Sequence, residues 1–200
     1  MSETNGVNVV LETEFGKIVV ALDSAHAPRT VENFLFYVDG GFYDGGKFHR
    51  TVTADNNANT NLKSEKIGKG IEAPVDERKL PNDAIAIQVI QGGINPARSE
   101  EQRGPLALER TSETGLKHLD GTISMARFTP DSAVSDFFIC IGDTPELDFG
   151  GKRNPDGQGF AAFGQVVEGM DVVRTIQAQP ANGQSLEPVV PIVRARRASA

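Results

Sequence analysis

A single cysteine in 200 residues, Cys140, forbids an internal disulfide and any cysteine-rich metal site. It lies in the apolar run Phe137-Phe138-Ile139-Cys140-Ile141, where a thiol packs as a small hydrophobe. The three histidines, His26, His49 and His118, are scattered without metal-ligand spacing, so neither a metal nor a cofactor is expected. No stretch approaches the roughly 18 apolar residues of a membrane-spanning helix, and no membrane partner is expected. Positive charge is also scarce. Twenty Lys and Arg against 27 Asp and Glu leave a net charge of −7, the wrong sign for neutralising phosphates, which argues against nucleic acid. The one basic cluster, Arg194, Arg196 and Arg197, is expected to be a solvated tail. Residues Met1 to Gly6 lack the basic start and apolar stretch of a signal peptide. A cytoplasmic protein fits, and so does a periplasmic one whose signal peptide had been removed. There is no fixed-period repeat and no low-complexity block.

What is present suits one domain over 1–200, with 38% hydrophobic and 24% charged residues. Val7 to Glu12 and Lys17 to Leu22 are β-branched runs joined by Thr13-Glu14-Phe15-Gly16, a hairpin pattern. Pro28 can open a helix whose apolar stripe is Val31, Phe34, Leu35 and Val38, and Gly40-Gly41 stops it. A second helix is expected from Glu168 to Ile176, burying Val172, Val173 and Ile176. Further strands are expected at Lys47 to Val52, Ala84 to Gln91, Thr122 to Ala126, Asp136 to Ile141, Ala161 to Val166 and Val189 to Arg194. Many short strands with few helices indicate an antiparallel barrel or sandwich. A polar, charged segment at about 54–83 interrupts this rhythm and is too polar for the core.

Several strings then occur in a telling order. They are Phe48-His49-Arg50, Val89-Ile90-Gln91-Gly92-Gly93, Gly121-Thr122-Ile123-Ser124-Met125-Ala126 and Ser135-Asp136-Phe137-Phe138-Ile139. Pro28 to Phe34 and Phe163 to Met170 flank them. From about Val7 to Arg194 the chain closely resembles the cyclophilins, peptidyl-prolyl cis-trans isomerases. The resemblance implies a mainly β fold, a closed eight-stranded antiparallel barrel capped by two α-helices, with a polar insertion at about 54–83. It implies a rotamase, without cofactor, that acts on proline-containing peptides and unfolded proteins; a monomer is expected, since the sequence shows no oligomerising helix or seam. Arg50 matches the catalytic arginine and Gln91 the glutamine that orients it. Phe138 matches the floor of the proline pocket, with Val89 on its wall and Leu147 at its edge. Ala126 and Arg127 fall where the family presents backbone groups to the peptide. In an alternating strand Phe137 should face the core, opposite Phe138, and His49 is expected to pack rather than to react.

Some positions depart from the family pattern. Asp136 replaces a glutamine beside the pocket, where a carboxylate could hold Arg50 away from substrate but is expected instead to pair with it and orient it. Glu146 stands where a tryptophan often helps bind cyclosporin, which implies weak binding of that drug. Phe160 stands where a histidine lines the groove, and the aromatic residue expected shortly before Val89 is missing. The same fold with weak turnover would instead make a prolyl-peptide binding or chaperone-like module. Other motifs fail on inspection. Asp55-Asn56-Asn57-Ala58-Asn59 begins like a calcium loop but continues with Thr60 and reaches Lys66 where glutamate is needed. Gly150-Gly151-Lys152-Arg153 and Gly157-Gln158-Gly159 lack the strand-loop-helix setting of a phosphate loop. Ser124 and Ser135 have no evident histidine partner for nucleophilic work.

Overall fold

The computed structural model describes residues 6–57 and 85–198. The β-branched runs at the start form the expected hairpin, β1 (Val7–Thr13) and β2 (Gly16–Leu22). Next come α1 (Pro28–Asp39), β3 (Gly46–Val52) and β4 (Val89–Gly93). A 3-10 segment (Pro96–Glu101) and the single turn α2 (Thr111–Thr114) lead to β5 (Thr122–Met125) and β6 (Phe137–Cys140). A second 3-10 turn (Pro145–Leu147) precedes β7 (Ala162–Glu168), α3 (Met170–Gln177), the two-residue β8 (Ala181–Asn182) and the long β9 (Ser185–Arg197). The strands run in the order β1-β2-β7-β5-β6-β4-β3-β9, all neighbours antiparallel, and pairing of β1 with β9 closes the barrel. β8 adds only a short flap on β9.

The helices cap the barrel because each has one apolar face. Helix α1 buries Val31, Phe34 and Val38 and packs against β9, while α3 buries Val172, Val173 and Ile176 and packs against β2, β3 and β4. Inside, Phe34 meets Tyr43, Phe137 and Phe163 at ring-centroid distances of 5.3, 5.6 and 5.2 Å. Burying each such ring contributes roughly 1.5–3 kcal/mol. The Tyr43 hydroxyl, shut in this core, donates to the Ser135 carbonyl at 2.6 Å, and burial pushes its pKa well above the ordinary value.

Four expectations need correction. Helix α3 begins at Met170 rather than Glu168, because Glu168 still pairs with Val19 and Gly169 then turns at φ 92°. A side chain at Gly169 would collide with the Lys17 carbonyl, so only glycine suits that position. Strand β4 starts at Val89, not Ala84, since the Ile87 amide donates to the Asn57 side chain at 2.9 Å instead of joining the ladder. Asn57 is itself buried, although it belongs to the segment expected to stay outside the core; Ala54 and Asp55 are exposed as expected, and 58–83 lies outside the described residues. The terminal arginines are not a solvated tail. Closing the barrel extends β9 to Arg197, and there Arg196 pairs with Glu12 at 2.9 Å and Arg197 with Asp39 at 2.6 Å.

Candidate active site

Register brings the expected residues together. Arg50 on β3 lies opposite Gln91 on β4, Gln91 lies opposite Phe138 on β6, and Phe138 lies opposite Ser124 on β5. The four thus form one row across adjacent strands. Phe48 and Arg50 would share a face in a regular strand, and Phe48 is fully buried in the barrel core. A bulge intervenes. Phe48 pairs with Gly92 and Arg50 with Gln91, so His49 is the extra residue, and the chain turns Arg50 to the outer face.

On that face the half-buried guanidinium is gripped at two edges. Its Nη1 donates to Gln91 Oε1 at 3.0 Å, while Nε and Nη2 donate to Gln184 Oε1 at 2.9 and 2.7 Å. Gln91 in turn donates through Nε2 to Asp136 Oδ2 at 3.3 Å. A guanidinium only donates and a carboxylate accepts, so the two neighbours fix which way the Gln91 amide faces. Among the described residues, Asp136 pairs with Gln91 and, at 3.7 Å, with His49 rather than with Arg50 as expected. The reason is positional: β4 stands between the strand of Arg50 and the β6 end where Asp136 sits. Asp136 therefore acts on Arg50 by way of Gln91. Desolvation raises the Asp136 carboxyl above its ordinary value, against the pull of His49 and the Gln91 amide. His49 is half-buried on the bulge beside Asp136, because the bulge pushes it out of the ladder.

Beside Arg50 lies a second apolar cluster, separate from the barrel core. Phe138 is its centre, with Val52, Ile87, Val89, Cys140 and Leu147 buried around it and Ala126 and Phe160 at the partly exposed rim. Phe160 meets Phe138 edge-on, 5.5 Å between centroids at 87°. Phe138 keeps 5% of its surface exposed. Phe137 faces the opposite way into the barrel core, as alternation requires. Arg127 spends its side chain elsewhere. It forms a two-pronged pair with Asp156 at 2.7 and 2.9 Å, donates to the Gly159 carbonyl at 2.7 Å and lies 4.9 Å over the Phe160 ring. Against the upward push of burial, that pairing holds the Asp156 carboxyl below its ordinary value. Glu146 accepts from the Lys152 amide at 2.7 Å.

Two features escaped the sequence. Gln184, the second grip on Arg50, stands 134 positions away and has no local signature. Ser124 does have a histidine partner: His118 contacts Ser124 Oγ through Nε2 at 2.9 Å and Asp148 Oδ1 through Nδ1 at 2.7 Å. The geometry resembles a nucleophilic triad, yet Ser124 is wholly enclosed and His118 is stacked under Phe138 at 6.1 Å and 14°. No substrate reaches that hydroxyl, and the group serves as a foundation for Phe138. Burial lowers the His118 pKa, against the pull of Asp148, so the ring is neutral, donates to Asp148 and accepts from Ser124. Although burial raises Asp148, its bonds with His118 bring it below its ordinary value overall. Ser135 donates to Gln102 at 2.7 Å.

This closed barrel capped by helices is the fold of the cyclophilin-type isomerases, and it sets an arginine, a glutamine and an aromatic side chain in one row. The family model described as cyclophilin type peptidyl-prolyl cis-trans isomerase/CLD matches residues 8–197, and the chain belongs to that family. It is 33% identical over 190 residues to the peptidyl-prolyl cis-trans isomerase cyp18 of Streptomyces antibioticus, covering 92% of this chain and 93% of the relative. It is 34% identical to peptidyl-prolyl cis-trans isomerase A of Dickeya dadantii, covering 90% and 76%. Among solved structures, a Cryptosporidium parvum cyclophilin-type isomerase determined in the presence of the dipeptide Ala-Pro has the same fold. Its TM-score is 0.67 at 19% identity, over 96% of this chain and 99% of the other.

Proposed function

We propose that this chain accelerates rotation about Xaa-Pro bonds through a hydrogen bond from Arg50 to the imide nitrogen of the twisted transition state. Delocalisation of the nitrogen lone pair makes the planar bond resist rotation by about 18–20 kcal/mol. As the bond twists, the lone pair returns to nitrogen, which becomes an acceptor in that state alone. A donor aimed there binds the transition state better than either planar isomer, which is what lowers a barrier. The observation that carries this reading is the two-sided grip of Gln91 and Gln184 on the guanidinium. A fixed donor need not reorganise as charge shifts. No bond is made or broken and no proton leaves, so a permanent charge suffices.

The proline ring would rest on Phe138, Val89, Leu147, Ala126 and Phe160, with the peptide backbone along Ala126 and Arg127 and Asp136 beside the groove. The expected substrates are proline-containing peptides and unfolded chains, and the chain is expected to act as a monomer. Glu146 puts a carboxylate where a flat apolar contact would help a cyclic peptide, so cyclosporin should bind weakly. An isomerisation assay on a short Ala-Pro peptide tests the reading. Arg50→Ala should lower kcat/KM by about 10²–10³-fold, the usual loss for one transition-state donor. Wild-type protein that binds the peptide without turning it over would instead mark a prolyl-peptide binding module.

A further inference from the structure

Gln184 has 0% of its surface exposed and makes four side-chain hydrogen bonds, as many as an amide of this kind usually forms. Its Oε1 accepts from Nε and Nη2 of Arg50. Its Nε2 donates to the Asn56 carbonyl at 2.8 Å and the Asn57 carbonyl at 3.3 Å. The orientation is chemically fixed, since the guanidinium offers only donors and the carbonyls only acceptors. The backbone is tied as well: the Thr51 amide, next to Arg50, donates to the Gln184 carbonyl at 2.9 Å. Asn56 and Asn57 are themselves anchored. Asn56 Nδ2 donates to the carbonyls of Thr51 and Gly183, both at 3.0 Å, and Asn57 Oδ1 accepts from the Ile87 amide. The far end of the strut is therefore held by two different stretches of chain.

From this we infer that Gln184 is a positioning residue for isomerisation, fixing the Arg50 guanidinium before substrate arrives. This rests on the role proposed for Arg50. A free arginine side chain is spread over many rotamers, and that freedom must be lost before the donor is aimed. Gln91 grips the edge nearer the groove and is partly exposed, whereas Gln184 grips from the buried side, where no water competes. A glutamate could accept from Arg50 but could not donate to the two asparagine carbonyls. It would also set a negative charge against the cation whose field the transition state needs.

The test is Gln184→Met, which keeps the side-chain length but removes both polar ends, set against wild type, Arg50→Ala and the double variant. Isomerisation of an Ala-Pro peptide should fall about ten- to a hundredfold, the scale of a small misplacement of a catalytic group. The peptide dissociation constant and cooperative thermal unfolding should be retained. In the Arg50→Ala background, Gln184→Met should change turnover no further. Wild-type turnover in Gln184→Met, or additive losses in the double variant, would overturn the inference. A direct readout covers a variant that fails to fold: in the wild-type protein the Arg50 Nε–H nuclear magnetic resonance signal should exchange slowly with water, and exchange as fast as in free arginine would refute the strut. If Arg50→Ala retains full turnover, the proposed mechanism fails, and the exchange measurement still reports on Gln184.

Discussion

Asp136 shows how one side chain in the groove can be read from its neighbours. Desolvation raises its carboxyl pKa. A raised acid holds its proton more tightly folded than unfolded, so it costs stability once pH exceeds its ordinary value, and the cost persists above its folded value. Asp136→Asn should therefore melt no lower than wild type at pH 7, and the difference should fade below about pH 4, the unfolded carboxylate range. The asparagine oxygen can still accept from Gln91, so turnover should be kept; a sharp loss would show that the charge itself matters. His49 sits next to this carboxylate on the bulge. His49→Ala should leave the isomerisation rate close to wild type, because nothing routes a proton through the imidazole.

At the scale of elements, the bulge in β3 decides which way Arg50 points. Deleting His49 would make Phe48 and Arg50 consecutive and leave them on opposite faces of β3, so Arg50 should stay outward beside Gln91. That variant should keep much of its turnover in the isomerisation assay, as His49→Ala should, and a complete loss would show that the bulge itself aims the guanidinium. The approach to β4 depends on Asn57, which satisfies the buried Ile87 amide. Asn57→Ala leaves that donor unpaired and should cost about 1–3 kcal/mol in denaturant unfolding. The ion pairs along β9 are partly exposed, with Arg197 and Asp39 each 48% exposed. Arg197→Ala should accordingly cost less than about 1 kcal/mol, and less still at high salt.

For the whole molecule, several groups make acid destabilising in the same direction. His118 has a lowered pKa, so the unfolded chain binds its proton more readily. Its stabilising share is complete above about 6.5 and drains away as pH falls through the folded value. Asp39, Asp148 and Asp156 are lowered too, and their share is lost further down, as pH falls below the ordinary carboxylate range. Melting temperature should decline from pH 7 to pH 5, and His118→Gln should flatten that part of the curve. Cys140 is enclosed between the strands, and burial pushes its thiol pKa up. A thiol reagent should label it only as the molecule unfolds.

The sequence by itself determined the closed barrel's strands, the two capping helices and the chemical cast of the site. Short-range periodicity carries the strands and helices, and the resemblance of short strings to the cyclophilins singled out Arg50, Gln91, Phe138, Val89 and Leu147, which the fold brings near one another. Only the tertiary structure decided the face on which Arg50 stands, its second anchor at Gln184, the buried group of Ser124, His118 and Asp148, and the pairing of Arg196 and Arg197. A bulge is a register difference between two strands, and a hydrogen bond between residues 134 positions apart exists only after the chain has closed on itself. Neither leaves a local pattern, because partners distant along the chain are chosen by the packing that brings them together.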